Sequence, residues 1–208
     1  MSANVDLPTP QILGIIAFGR VASYARIARD VSMTVNVRHQ LDLARMGTRF
    51  IQSIDALEAA ATQLGTNIED VTQPFQGSLD DMEARTRPGD WWERVVKSYV
   101  MVGMLCDLED CLGQDMRGEV SDRLSLAQDA GHGLWVKERI GDVLGDDDTL
   151  NARLSMWGRR VAGEVLGAIQ RIVTTHSEIL PEGTSVAALL QRLTAGHARR
   201  LDVLGLAS

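Results

Sequence analysis

The residues most able to do chemistry are Asp129 and His132, in the stretch Ser121–Leu144. A carboxylate and an imidazole three positions apart stand on one side of a helix. Helix bundles that hold two iron ions use such a pair on each of two helices, with a single carboxylate on two others. Two further polar residues interrupt apolar stripes: Arg20, within Leu13, Ala17, Arg20, Tyr24, Ile27 and Val31, and Glu164, within Leu154, Trp157, Val161, Glu164 and Ala168. A buried guanidinium is costly without a partner, so Arg20 requires an acidic partner or a water-filled pocket inside the fold. His197 shares a face with Leu189, Leu193 and Leu201. It has no carboxylate at ligand spacing, and it reads as a packing or hydrogen-bonded residue.

The elements that must position these groups are helices throughout. Helical apolar periodicity and capping signals predict core helices over about 10–32, 36–64, 88–112 and 118–144. Two additional C-terminal helices follow at about 150–177 and 185–204, within a single domain spanning 1–208. Thr9 and Pro10 open the first helix, Gly65 closes the second, and Asp90 with Glu93 opens the third as a capping box. Residues 66–87, broken by Pro74, form a long crossover with short helices. The acidic run Asp107, Glu109, Asp110 is expected at a solvated helix end. Asp146, Asp147 and Asp148 lack the spaced ligands of a calcium loop and read as helix-capping residues.

Composition narrows the function. The chain has 208 residues, a net charge of −7 and no run of apolar residues that could span a bilayer. The acidic balance argues against a broad nucleic-acid surface, and the basic pairs Arg159–Arg160 and Arg199–Arg200 read as solvated faces. The N-terminus lacks the basic and apolar regions of a signal peptide. Cys106 and Cys111 point apart on one helix and are expected to stay thiols, which suits a cytoplasmic protein. There is no phosphate-binding glycine loop and no nucleophile elbow.

Several stretches carry a resemblance. They are Leu13–Gly14–Ile15–Ile16–Ala17–Phe18–Gly19, Leu43–Ala44–Arg45–Met46, Pro74–Phe75, Lys97–Ser98–Tyr99–Val100 and Asp129–Ala130–Gly131–His132. Trp157–Gly158–Arg159–Arg160 with Gly163–Glu164, and His197–Ala198–Arg199–Arg200 with Leu204–Gly205–Leu206, complete them. In order and spacing they resemble the ferritin-like family related to the tRNA hydroxylase that acts on 2-methylthio-N6-isopentenyladenosine. The resemblance implies an all-α, ferritin-like four-helix bundle with a crossover connection and, in active members, a di-iron centre that activates oxygen. The carboxylate of the first helix falls on Arg20. The carboxylate and histidine of the second fall on Phe50 and Ser53, or one residue earlier on Arg49 and Gln52. The carboxylate of the third falls on Val102. Asp129 and His132 alone match.

Two irons need roughly six carboxylate or imidazole ligands, so the resemblance implies a degenerate, metal-free site, with Arg20 paired to Asp129 or Glu164 in place of metal. The expected role is binding or assembly, with a second copy, an intact relative or a tRNA-processing component as partner. The alternative is an iron-dependent hydroxylase with an unusual site of Asp129, His132 and Glu164. A third expectation is a small-molecule pocket lined by Tyr24, Tyr99, Trp135 and Trp157.

Overall fold

The computed structural model describes residues 9–113, 129–145 and 147–207, and among these it contains eight α-helices and no strand. Side chains start each long helix where the sequence signals it. Thr9 Oγ1 accepts from the Ile12 N–H at 3.3 Å and Pro10 fills the first turn, opening α1 (Pro10–Met33). Asn36 accepts from the N–H groups of Arg38 and His39 to open α2 (Val37–Gln63), and Gly65, at φ 72°, turns the chain out of it. Thr34–Asn36 joins the two helices, which pack along their lengths with Leu13, Ile16 and Ala17 against Leu57, Ala60 and Ala61.

The crossover carries α3 (Ile68–Thr72), a 3₁₀ turn at Gln73–Phe75, and α4 (Asp80–Arg85). Gly14 fixes its height against α1: a Cβ there would lie 1.9 Å from the Val71 carbonyl oxygen. Only a glycine lets a helix approach a neighbouring backbone so closely.

At the centre is α5 (Trp91–Leu112), where every residue from Val95 to Cys106 is buried. Asp90 accepts from the Glu93 N–H at 2.8 Å, and the Glu93 carboxylate reaches back to the Gly89 N–H at 2.7 Å. Packed against α5 are α1, α6 (His132–Leu144), α7 (Asp148–Thr175) and α8 (Val186–Val203). Asp147 caps α7 through the Leu150 N–H, and Ser185 caps α8 through the Ala188 N–H. One apolar cluster draws on all the long helices.

Two expectations change. The helix predicted over 118–144 starts, in its described part, only at His132. Residues 114–128 lie outside the described residues, and at Asp129–Gly131 the chain makes a turn with Ala130 at φ 56° and Gly131 at φ 82°. Asp129 and His132 therefore do not share a continuous helix. The acidic run of α5 is also not wholly at a wet end: Glu109 and Asp107 turn inward to arginines.

Candidate functional site

The positions to which iron ligands would map divide into two neighbouring places. The first is built on α1, α2 and α5. Arg20 is 2% exposed, and its Nη2 lies 2.5 Å from Glu109 Oε2. The Phe50 ring stands beside the same guanidinium, with Arg20 Cζ 5.9 Å from its centroid. Ser53 donates its hydroxyl to the Phe50 carbonyl at 2.6 Å, one turn back on its own helix. Gly19 makes room for the carboxylate: a Cβ there would sit 3.2 Å from Glu109 Oε1. Burial raises the Glu109 pKa to about 7; Arg20 pulls it down, and Asp110 pushes it up. The expected pairing of Arg20 with Asp129 or Glu164 is corrected: the close carboxylate is Glu109, which stands one turn before Gly113 on the most buried helix.

The second place is a cavity of about 140 Å³ bordered by Tyr99, Val102, Cys106, Asp129, His132 and Arg200. The Asp129 carboxylate accepts from the backbone N–H groups of Gly131 and Gly133, each at 2.9 Å. It thus holds the turn that starts α6. Arg49 donates to the Ala130 carbonyl at 2.9 Å and pins the same turn from α2. His132 is 1% exposed and stacks on Trp135 at 6.2 Å. Burial lowers its pKa to about 4, against the opposing pull of Asp129, so the ring is neutral at ordinary pH. Arg200 closes the far side. It grips Asp107 through both terminal nitrogens and lies on Gly103, where a Cβ would come within 2.3 Å of Arg200 Nε. Tyr99 donates its hydroxyl to the Arg200 carbonyl.

Glu164 joins neither place. It is 28% exposed and faces Arg85 of the crossover at 3.5 Å, so a triad with Asp129 and His132 does not assemble. Its stripe position lies on the flank of α7 that meets α4, not the one that meets α5. Of the four aromatic residues expected around a pocket, Tyr99 alone borders this cavity. Trp157 donates its indole N–H to the Glu93 carbonyl, and Tyr24 is 37% exposed. His197 is buried as a packing residue, with neither ring nitrogen hydrogen-bonded among the described residues.

A family model described as a ferritin-like domain of actinomycetes matches residues 5–182. The chain belongs to this ferritin-like family. No curated protein matches it.

Within this ferritin-like bundle the residues at hand do not fit a di-iron centre. The positions that the resemblance assigns to iron ligands hold a guanidinium, a phenyl ring, a hydroxyl engaged by its own helix and an isopropyl group, none of them an anionic or imidazole donor. Arg20 also holds a fixed positive charge there. Among the described residues no group of three or more His, Cys, Asp or Glu side chains is gathered around one point. Among them, too, no helix is long and apolar enough to cross a membrane.

Sequence reasoning missed Glu109, Asp107 and Arg200 as parts of this region. It also missed that Ser23, Arg26 and Asp30 are buried on α1 beside Arg20. A signal for both was present. Gly19 and Gly103 are small where charged chains must pass, and Lys97–Ser98 interrupts the otherwise apolar run of α5.

Proposed function

We propose that this ferritin-like chain is a metal-independent binding or assembly protein, in which an ion pair occupies the place of a degenerate di-iron site. The observation that carries this reading is the buried Arg20–Glu109 pair at 2.5 Å, flanked by Phe50. An arginine does not lose its proton in a protein, so it repels a cation under all conditions. A carboxylate committed to it is a poor metal ligand. The resemblance to the tRNA-hydroxylase-related family suggests where such a bundle works: as a homodimer, with an intact relative, or beside tRNA-processing components. Buried cysteine thiols suit the cytoplasm. With its acidic charge, the chain would meet RNA through a partner and not by its own surface.

The test is metal content. The full chain, produced in iron-supplemented cells and purified without chelator, is expected to carry far less than one iron per chain and no absorbance of an oxo-bridged pair. About two irons per chain would instead favour the hydroxylase reading. Sedimentation of the same sample, alone and with an intact relative, reads the assembly role. A chain that stays monomeric and binds no relative removes it.

A further inference from the structure

A second arginine of α1 is buried without the partner that Arg20 has. Arg26 is 3% exposed, yet its Nε and Nη1 lie out of solvent with no hydrogen-bond partner among the described residues. Its remaining nitrogen, Nη2, forms a long ion pair with Glu83 of α4, 3.5 Å from Oε2. That same oxygen already accepts from Lys97 Nζ at 2.8 Å and faces Arg29 Nη1 at 3.6 Å. The buried carboxylate of Asp30 is taken by the Ser98 hydroxyl and by Arg94. So three cations from α1 and α5 converge on one oxygen, and Arg26, more buried than Arg29, keeps Nε and Nη1 unmatched.

Arg26 and Arg29 border a cavity of about 190 Å³ between α1 and the crossover, together with Phe18, Ala22, Asp80 and Glu83. A volume of that size admits several waters at roughly 30 Å³ each, or one small organic acid or phosphate. Charge favours the anion. Its charged lining is Arg26 and Arg29 with Asp80 and Glu83; Lys97, outside the lining, already neutralises Glu83 from 2.8 Å, and a guanidinium fork matches a carboxylate or phosphate in two parallel hydrogen bonds. We infer that this cavity is a binding site for a small oxyanion, a carboxylate or phosphate group, gripped by Arg26 from inside and Arg29 from the rim. The site is separate from the Arg20–Glu109 pair and does not depend on the proposed function.

Calorimetric titration of the full chain, in buffer free of oxyanions, with inorganic phosphate and separately with malonate tests this. Sodium chloride at matched ionic strength serves as the control. Saturable binding of one or both is expected, and the arm that binds tells phosphate from carboxylate. Arg26→Met should weaken that binding about tenfold or more, the loss of one charge-assisted contact. Arg29→Gln, at an exposed position that cannot unfold the chain, should weaken it about threefold or more. If neither anion binds beyond the chloride control, or if both variants bind as the wild type does, the inference is overturned.

Discussion

The helix α1 places two arginines inside the protein, and their surroundings differ. Arg20 has a carboxylate at 2.5 Å, made possible by the missing side chain of Gly19 and by the Phe50 ring on its other side. Arg26, further along the same helix, shares Glu83 with Arg29 and Lys97, and its Nε and Nη1 have no hydrogen bond among the described residues. The contrast separates two uses of a buried charge. A charge matched by its own counter-charge fixes how helices pack, and it gains little from any further ligand. A charge left partly unmatched beside a cavity costs stability in the free protein and gains whatever an arriving anion supplies.

The largest expected effect comes from breaking the matched pair. Glu109→Leu should destabilise the fold by about 3–5 kcal/mol, because Arg20 cannot discard its charge. Arg20→Leu should cost less, about 1–3 kcal/mol, because Glu109 is already raised to about 7 and becomes a neutral acid once the arginine is gone. Urea unfolding of both singles and of the double variant measures the coupling. Additive losses would mean that the two side chains do not act as a pair.

The same pair predicts a pH dependence of almost equal size. Glu109 binds its proton more tightly folded, with a pKa of about 7, than unfolded. Its contribution is therefore present below about pH 4.5 and lost as pH rises through 7, by roughly 3 kcal/mol. His132 works in the opposite direction. Its folded pKa is lowered to about 4, so its contribution is present above about pH 6.5 and lost as pH falls through 4. The two slopes oppose each other across most of the acid range. Glu109→Gln should expose the acid-sensitive slope of His132, and His132→Phe the alkaline-sensitive slope of Glu109. Stability measured from pH 4 to 8 for each variant checks this, and parallel curves for wild type and Glu109→Gln would contradict the assignment.

Much of the fold was legible, because caps and stripes are local. Thr9, Asn36, Asp90 and Asp147 each open a helix by the hydrogen bond their residue type predicts. The start of α6 was not legible. A side chain at Asp129 that caps two amides, with left-handed residues at Ala130 and Gly131, overrides a helical apolar pattern that continues on both sides of it. Arg20 could be read as needing an acid, but not which one. The buried stretch of α5 is covered on all sides, so periodicity gives Glu109 no face, and its place in an acidic run before Gly113 looks solvated. The rest of Arg20's buried stripe, Ser23, Arg26 and Asp30, was missed for a related reason: charged residues at helical spacing normally mark the outer face.

Glu83 tests the unmatched side. Glu83→Gln removes the carboxylate that faces Arg26, Arg29 and Lys97, but Glu83 is partly exposed and Lys97 keeps the Thr86 carbonyl at 2.7 Å. The expected cost is about 1–2 kcal/mol, less than for Glu109→Leu, and it should shrink in high salt because Arg29 lies in water. A thermal-unfolding series in increasing sodium chloride reads both points. A loss equal to that of Glu109→Leu and indifferent to salt would mean that Glu83 is as closely committed as Glu109, and the contrast between the two arginines would fall.

The smallest effect is the one that most sharpens the contrast. Arg26→Met keeps most of the aliphatic stem and removes a buried guanidinium whose Nε and Nη1 have no hydrogen bond among the described residues. Exchanging an unmatched buried charge for an apolar chain is neutral or stabilising, so in oxyanion-free buffer the variant should fall within about 1 kcal/mol of wild type, on the stable side. Arg20→Met in the same buffer should be clearly destabilised, since it strands Glu109 away from water. An oxyanion that binds only the folded wild type then reverses the order of wild type and Arg26→Met, because stabilisation grows with ligand concentration. Melting curves of the three proteins, with and without phosphate or malonate, decide it. If Arg26→Met is as damaging as Arg20→Met in every buffer, the two arginines serve the same structural purpose and the cavity beside Arg26 needs no occupant.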